Sequence, residues 1–134
     1  MSHTPFKVNV SVVIVNGDGK FLLIKRADEE EVFPGYWGVP GGTVEASDAT
    51  LEAALLRECV EEVGIEIDQI KLLTNDISDK GDKGGALYLV YMAKYTVGTP
   101  KPLDGTAAVE WLDIESIRVL NLTPKTLEVI ESCL

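Results

Sequence analysis

The 134-residue sequence predicts an α/β fold in which a mixed β-sheet packs between helices. Three observations point there. β-Branched, apolar runs fall into two groups, one long stretch of helical period separates those groups, and a second helical stretch closes the chain. The length suits one domain, residues 1–134, built on one core, and leaves too little chain for a second well-stabilised unit.

In chain order, residues 8–15 are β-branched and apolar, Asn16-Gly17-Asp18-Gly19 is a turn cluster, and residues 21–25 are a second apolar run. The sheet therefore opens with a β-hairpin. Residues 33–42 hold two prolines and four glycines around Tyr36 and Trp37, which predicts loop or short extended structure, with a brief strand at residues 43–45. Residues 48–63 change to a helical period, with Asp48 as the N-cap and Gly64 as the C-terminal stop. Strand-like runs follow at residues 70–74, 86–97 and 107–112, joined by Gly-, Lys- and Asp-rich connections. Residues 123–133 read as a closing helix, capped by Thr123 with Pro124 at its first position.

Composition narrows the function. Hydrophobic residues make up 46% and charged residues 25%, the profile of a chain that folds alone. No apolar run approaches the roughly 20 residues that span a bilayer, and no leader pattern opens the chain, so a cytoplasmic location with no membrane contact is expected. Two cysteines, Cys59 and Cys133, are too few for a disulfide framework and are expected as free thiols. The net charge of −10 argues against a stable nucleic-acid complex, and leaves room for a small anionic ligand whose charge a metal neutralises locally. His3 is the only histidine and sits in the N-terminal tail, so histidine triads and histidine-bound zinc are excluded.

On a helical wheel, with Glu58 at zero, Glu62 lies about 40° to one side and Glu61 about 60° to the other. Three carboxylates share one narrow face. Leu55, Leu56, Cys59, Val60 and Val63 occupy the neighbouring arc, which docks the helix on the sheet. Like charges at these spacings repel, and the helix C-terminus disfavours them, at about 1 kcal/mol or less per conflict. A solvated acidic face and a cation site are both consistent with so small a penalty. All-oxygen ligation by carboxylates would suit Mg²⁺ or Mn²⁺. Arg57, four residues before Glu61, is placed to hold one of these carboxylates.

The run over residues 42–65 resembles the Nudix box: a glycine, five residues, a glutamate, seven residues, then R-E-U-x-E-E-x-G-U with U a bulky aliphatic residue. Arg57, Glu58, Glu61, Glu62, Gly64 and Ile65 match in register, Cys59 takes an aliphatic position, and Trp37-Gly-Val-Pro40-Gly41-Gly42 resembles the usual entry to the box. One departure stands out. The stretch from Glu45 to Arg57 is one residue longer than usual, so the first box glutamate aligns with Asp48 or Ala49, with the insertion placed at residues 46–48.

The resemblance implies the family's α/β/α sandwich over nearly the whole chain and a Mg²⁺-dependent hydrolase, with Mn²⁺ as the other candidate ion. Its substrate would be a small nucleotide, a nucleoside triphosphate or a nucleoside diphosphate linked to another group. It implies metal ligation by Glu58, Glu61 and Glu62 with the Gly41 carbonyl, a supporting role for Arg57, and a phosphate contact by Arg26. Family members often recruit another acid after the box; Glu110 is the expected one, with Asp76, Asp79 and Asp82 as rivals. A proline or tyrosine that often marks subgroups acting on ADP-ribose and dinucleoside polyphosphates is missing from residues 80–83, which turns the expectation toward house-cleaning of free or modified nucleotides. The resemblance also allows a homodimer. It leaves a non-catalytic nucleotide or metabolite sensor as the alternative, although intact glutamates count against one.

Overall fold

The structure is a computed structural model that describes residues 5–79 and 84–134. The strands are β1 (Phe6–Val15), β2 (Phe21–Arg26), β3 (Trp37–Gly38), β4 (Gly41–Thr43), β5 (Glu66–Asp79), β6 (Gly85–Val97) and β7 (Thr106–Leu112); the helices are α1 (Leu51–Val63), α2 (Ile114–Arg118) and α3 (Thr126–Glu131). One seven-stranded sheet runs in the order β3-β2-β1-β6-β5, with β4 added beside β1 and β7 beside β2. β1 and β6 pair in parallel and all other ladders are antiparallel, which makes the sheet mixed, as expected.

Alternation along the strands divides the core. Val10, Val12, Ile14, Leu22 and Ile24 point to one face, where they bury Ala54, Leu55, Cys59 and Val63 of α1. Val13, Phe21 and Leu23 point to the other, against Ile117 of α2 and Ile130 of α3. Helices thus cover both faces. No helix among the described residues is long and apolar enough to cross a membrane.

The hairpin turn forms where Asn16 Oδ1 accepts from the N–H groups of Asp18 and Lys20, with Gly19 left-handed at φ 73°. Both cysteines are free, and Cys59 is buried. Four expectations need correction, and one element, α2, was not expected. α1 starts at Leu51 and is capped by Thr50, because Asp48 is engaged elsewhere. The brief strand falls at Gly41–Thr43 rather than at 43–45. β5 is far longer than residues 70–74, so Asp76 and Asp79 lie on a strand instead of a loop; three register shifts in its pairing with β6 break the alternation that would have revealed it. α2, a single turn, carried no readable period. α3 begins at Thr126, after Thr123 and Pro124, because Lys125 turns the chain through a left-handed conformation at φ 65°. His3, Lys80, Asp82 and Lys83 lie outside the described residues.

Candidate active site

The C-terminal end of α1 organises the site. Gly64 terminates the helix at φ 69°, where its N–H reaches the carbonyls of Cys59 and Val60. The carbonyls of Glu62 and Val63, left without helical partners, accept from Leu103 N–H (2.9 Å) and Lys101 N–H (3.0 Å). That pins the segment between β6 and β7 against the helix and brings Asp104 close enough to Glu62 for its charge to raise the Glu62 pKa.

Glu62 is half-buried, and its Oε1 accepts from Gly41 N–H at 2.7 Å. Burial pushes its carboxyl up to about 8, opposed by the Gly41 bond, aided by Glu58, opposed by Arg26 and aided by Asp104. Glu58 sits directly beneath Gly42, and burial also raises it, against the pull of Arg57. Glu61 is more open, its side chain 46% exposed.

Arg57 gathers the acids. Its Nε and one NH₂ group grip the two oxygens of Asp48, each at 2.9 Å, while NH1 donates to Glu58 (3.0 Å) and Glu61 (3.1 Å) and lies 3.5 Å from Glu45. NH2 also reaches the Thr43 carbonyl, and Asp48 accepts from Glu45 N–H at 2.8 Å. The inserted residue is thereby absorbed. A carboxylate one methylene shorter than glutamate, on a side chain only 6% exposed, still closes the loop onto the helix. The pair holds Asp48 below the usual carboxylate range, chiefly through Arg57, and Asp48 is the main cause that pushes Arg57 above its own.

The two glycines behave differently, and a pair of variants checks it. A Cβ on Gly41 would strike the Val10 carbonyl and the Ser11 backbone, whereas one on Gly42 would strike only the Glu58 carboxyl group, which can swing aside. Gly41→Ala is expected to destabilise the fold by about 1–3 kcal/mol. Gly42→Ala should melt near wild type yet lose about tenfold or more in rate as Glu58 is displaced; thermal melts with initial rates separate the two.

On the sheet face opposite α1, a cleft of about 710 Å³ begins at Gly41, Gly42 and Arg26 and runs to Asp76 and Lys125. Strand register sets its length. Thr43, Asn9, Tyr88 and Asp76 form one transverse row over β4, β1, β6 and β5, three strand-to-strand steps or about 14 Å. Arg26 stands at the near end, its Nε donating to the Val32 carbonyl at 2.7 Å, with Glu30 3.6 Å away.

The structure therefore brings together Gly41, Glu58, Glu61, Glu62, Arg57 and Arg26. Glu110 stays apart. It faces Leu23 across the β2–β7 ladder, and Leu23 belongs to the core under α2 and α3, so Glu110 projects from the sheet face opposite α1 while Val109 and Trp111 pack toward it. Asp76 is paired to Lys125 at the far end of the cleft. Asp104 is the residue that motif reading did not assign, and Asp48 is one it reached only as a cap and as one of two alignments of the first box glutamate. Position in the box marks Asp48, but no spacing marks Asp104, because the free carbonyls that fix its loop are visible only in the folded helix.

The donors fit a hard dication in kind: carboxylates and a backbone carbonyl, with no histidine or thiolate among them. Among the described residues no group of three acids is gathered ready to hold one, since Arg57 holds Glu58 and Glu61 while Gly41 holds Glu62. Side-chain rotation on a rigid helix would bring them onto an ion, and the crowding of like charge on one face is what an ion relieves.

An acid cluster gathered by Arg57, joined through Gly41 to a cleft with Arg26 at its mouth, is the arrangement expected of a class of protein, the hydrolases of phosphorylated small molecules. The particular family follows from sequence and fold comparison. A model of the NUDIX domain matches residues 5–133, and the chain belongs to the Nudix family of hydrolases, which act on phosphoanhydride bonds. It is similar to a MutT-like protein of Streptomyces ambofaciens at 34% identity, over 82% of this chain and 66% of that protein. The nucleoside triphosphatase NudI of Enterobacter sp. (strain 638) is 31% identical over 84% of this chain and 86% of its own. The crystal structure of the MutT NUDIX hydrolase from Burkholderia pseudomallei superposes with a TM-score of 0.78 at 28% identity, over 97% of this chain and 99% of that one.

Proposed function

We propose that this protein is a Mg²⁺-dependent pyrophosphohydrolase of nucleoside triphosphates, with Mn²⁺ able to substitute, working on free or modified nucleotides. The observation that carries the reading is Gly41, whose N–H is held by Glu62 on one side while its strand opens the cleft on the other. Acid cluster and cleft thus meet at one peptide. The likeness to a nucleoside triphosphatase over most of both chains supports the substrate class.

Glu58, Glu61, Glu62 and Asp104, with the Gly41 carbonyl, would hold the ion. When bound, a dication neutralises phosphate oxygens and lowers the pKa of a water molecule. The chain's own residues supply the rest. Arg26, at the cleft mouth, offers a guanidinium fork to phosphate oxygens. Arg57, anchored on Asp48, keeps Glu58 and Glu61 within one rotation of the site. The cleft leaves room for ribose and base beside the phosphates.

Nucleoside monophosphate formed from a panel of nucleoside triphosphates (with pyrophosphate as the other product), nucleotide sugars and ADP-ribose (with a sugar phosphate as the other product) tests this, with Mg²⁺, with Mn²⁺ and with EDTA. Metal-dependent turnover of triphosphates ahead of the other groups is expected, with EDTA removing it entirely. Binding to the panel without any product would transfer the protein to the sensor class.

A further inference from the structure

Phe33 is a bulky residue held at φ 49°, in the left-handed region that favours glycine. Its neighbours show that the chain could have done otherwise, since the other left-handed position of the same turn, at φ 77°, is filled by Gly35. Phe33 is 42% exposed, and its ring lies 5.5 Å from that of Tyr36, tilted by 56°. A left-handed conformation adds about 1–2 kcal/mol at a non-glycine residue, a cost that glycine would avoid and that the ring contact at most offsets.

Three hydrogen bonds maintain this conformation. Arg26 Nε holds the Val32 carbonyl, Gly35 N–H donates to the Arg26 carbonyl, and Tyr36 N–H donates to the Phe33 carbonyl. The turn is therefore fastened to the arginine that stands at the phosphate end of the cleft. Its product is an aromatic face lining that cleft. Strain kept at an exposed position, beside a ligand site and against local preference, is the pattern of a residue retained for binding.

We propose that Phe33 is the platform on which the base of the nucleotide substrate stacks. The proposal rests on the nucleotide reading above and adds the residue that recognises the base. Stacking accepts any base, so all nucleoside triphosphates depend on Phe33 alike, while an anion without a base does not.

Phe33→Asn tests it, because asparagine tolerates the left-handed region and leaves the turn intact. The melting temperature is expected to hold or rise. KM for dATP, dGTP, dCTP and dTTP is expected to increase by about tenfold each, while the Ki of inorganic tripolyphosphate, a base-free competitor, stays at the wild-type value. Phe33→Trp should restore or tighten nucleotide binding. A melting temperature lowered by several degrees would make Phe33 a packing residue and overturn the proposal. So would KM values that do not move, or an equal loss for tripolyphosphate, in a protein that still cleaves triphosphates. If the wild-type protein cleaves no nucleoside triphosphate, the functional reading fails first, and this one with it.

Discussion

Glu62→Gln is expected to lower kcat by about 10²–10³-fold without destabilising the protein. Glutamine keeps the oxygen that accepts the Gly41 N–H, so the contact between α1 and β4 survives. It loses only the charge, and that charge is unwelcome in the metal-free fold, where burial already drives the carboxyl toward its neutral form. On the proposed reading, a residue whose ionised state opposes folding and yet sits at the junction of helix and cleft is there for the cation its charge binds. Initial rates across a Mg²⁺ titration, paired with thermal melts, make the check. A Glu62→Gln rate within about threefold of wild type at every Mg²⁺ concentration would remove Glu62 from the reacting group. Glu61→Gln supplies the comparison, since its more exposed side chain is held by Arg57 on its own helix and the substitution should leave the melt unchanged.

What the sequence made legible follows the reach of its signals. α1 was readable because its apolar stripe and its glutamates repeat with the helical period, and Gly64 ends it through local stereochemistry alone. The hairpin was readable for the same reason, since its turn residues bond to one another. β5 hid because a strand with three register shifts and an exposed edge has no period to read, and Gln69 at φ 51° interrupts it further. Asp48 reads as a cap in the sequence because capping and ion pairing draw on the same residue types, and the position of Arg57 decides between them. Local rules locate the helix that carries the acids, and tertiary contacts bring Asp104 near Glu62.

That other acid gives the second large effect. Asp104→Ala is expected to raise the Mg²⁺ concentration needed for half-maximal rate by about 10–100-fold, while Glu110→Ala remains close to wild type. The two residues compete for one role and stand on different parts of the fold. Glu110 occupies a strand position whose partner, Leu23, faces the core under α2 and α3, so reaching α1 would require the ladder to slip by one residue. Asp104 lies on the segment whose N–H groups, from Lys101 and Leu103, cap the end of α1, and its charge already acts on Glu62. Moving Asp104 away would unfasten the helix end. On the proposed reading, a carboxylate held there adds negative charge to the cation site, and its removal is expected to weaken ion binding rather than the fold. Rates of both variants across a Mg²⁺ titration decide the matter: a loss confined to Glu110→Ala would return the role to β7. Saturation of Asp104→Ala at the wild-type Mg²⁺ concentration would leave the cation to the three helix glutamates and Gly41.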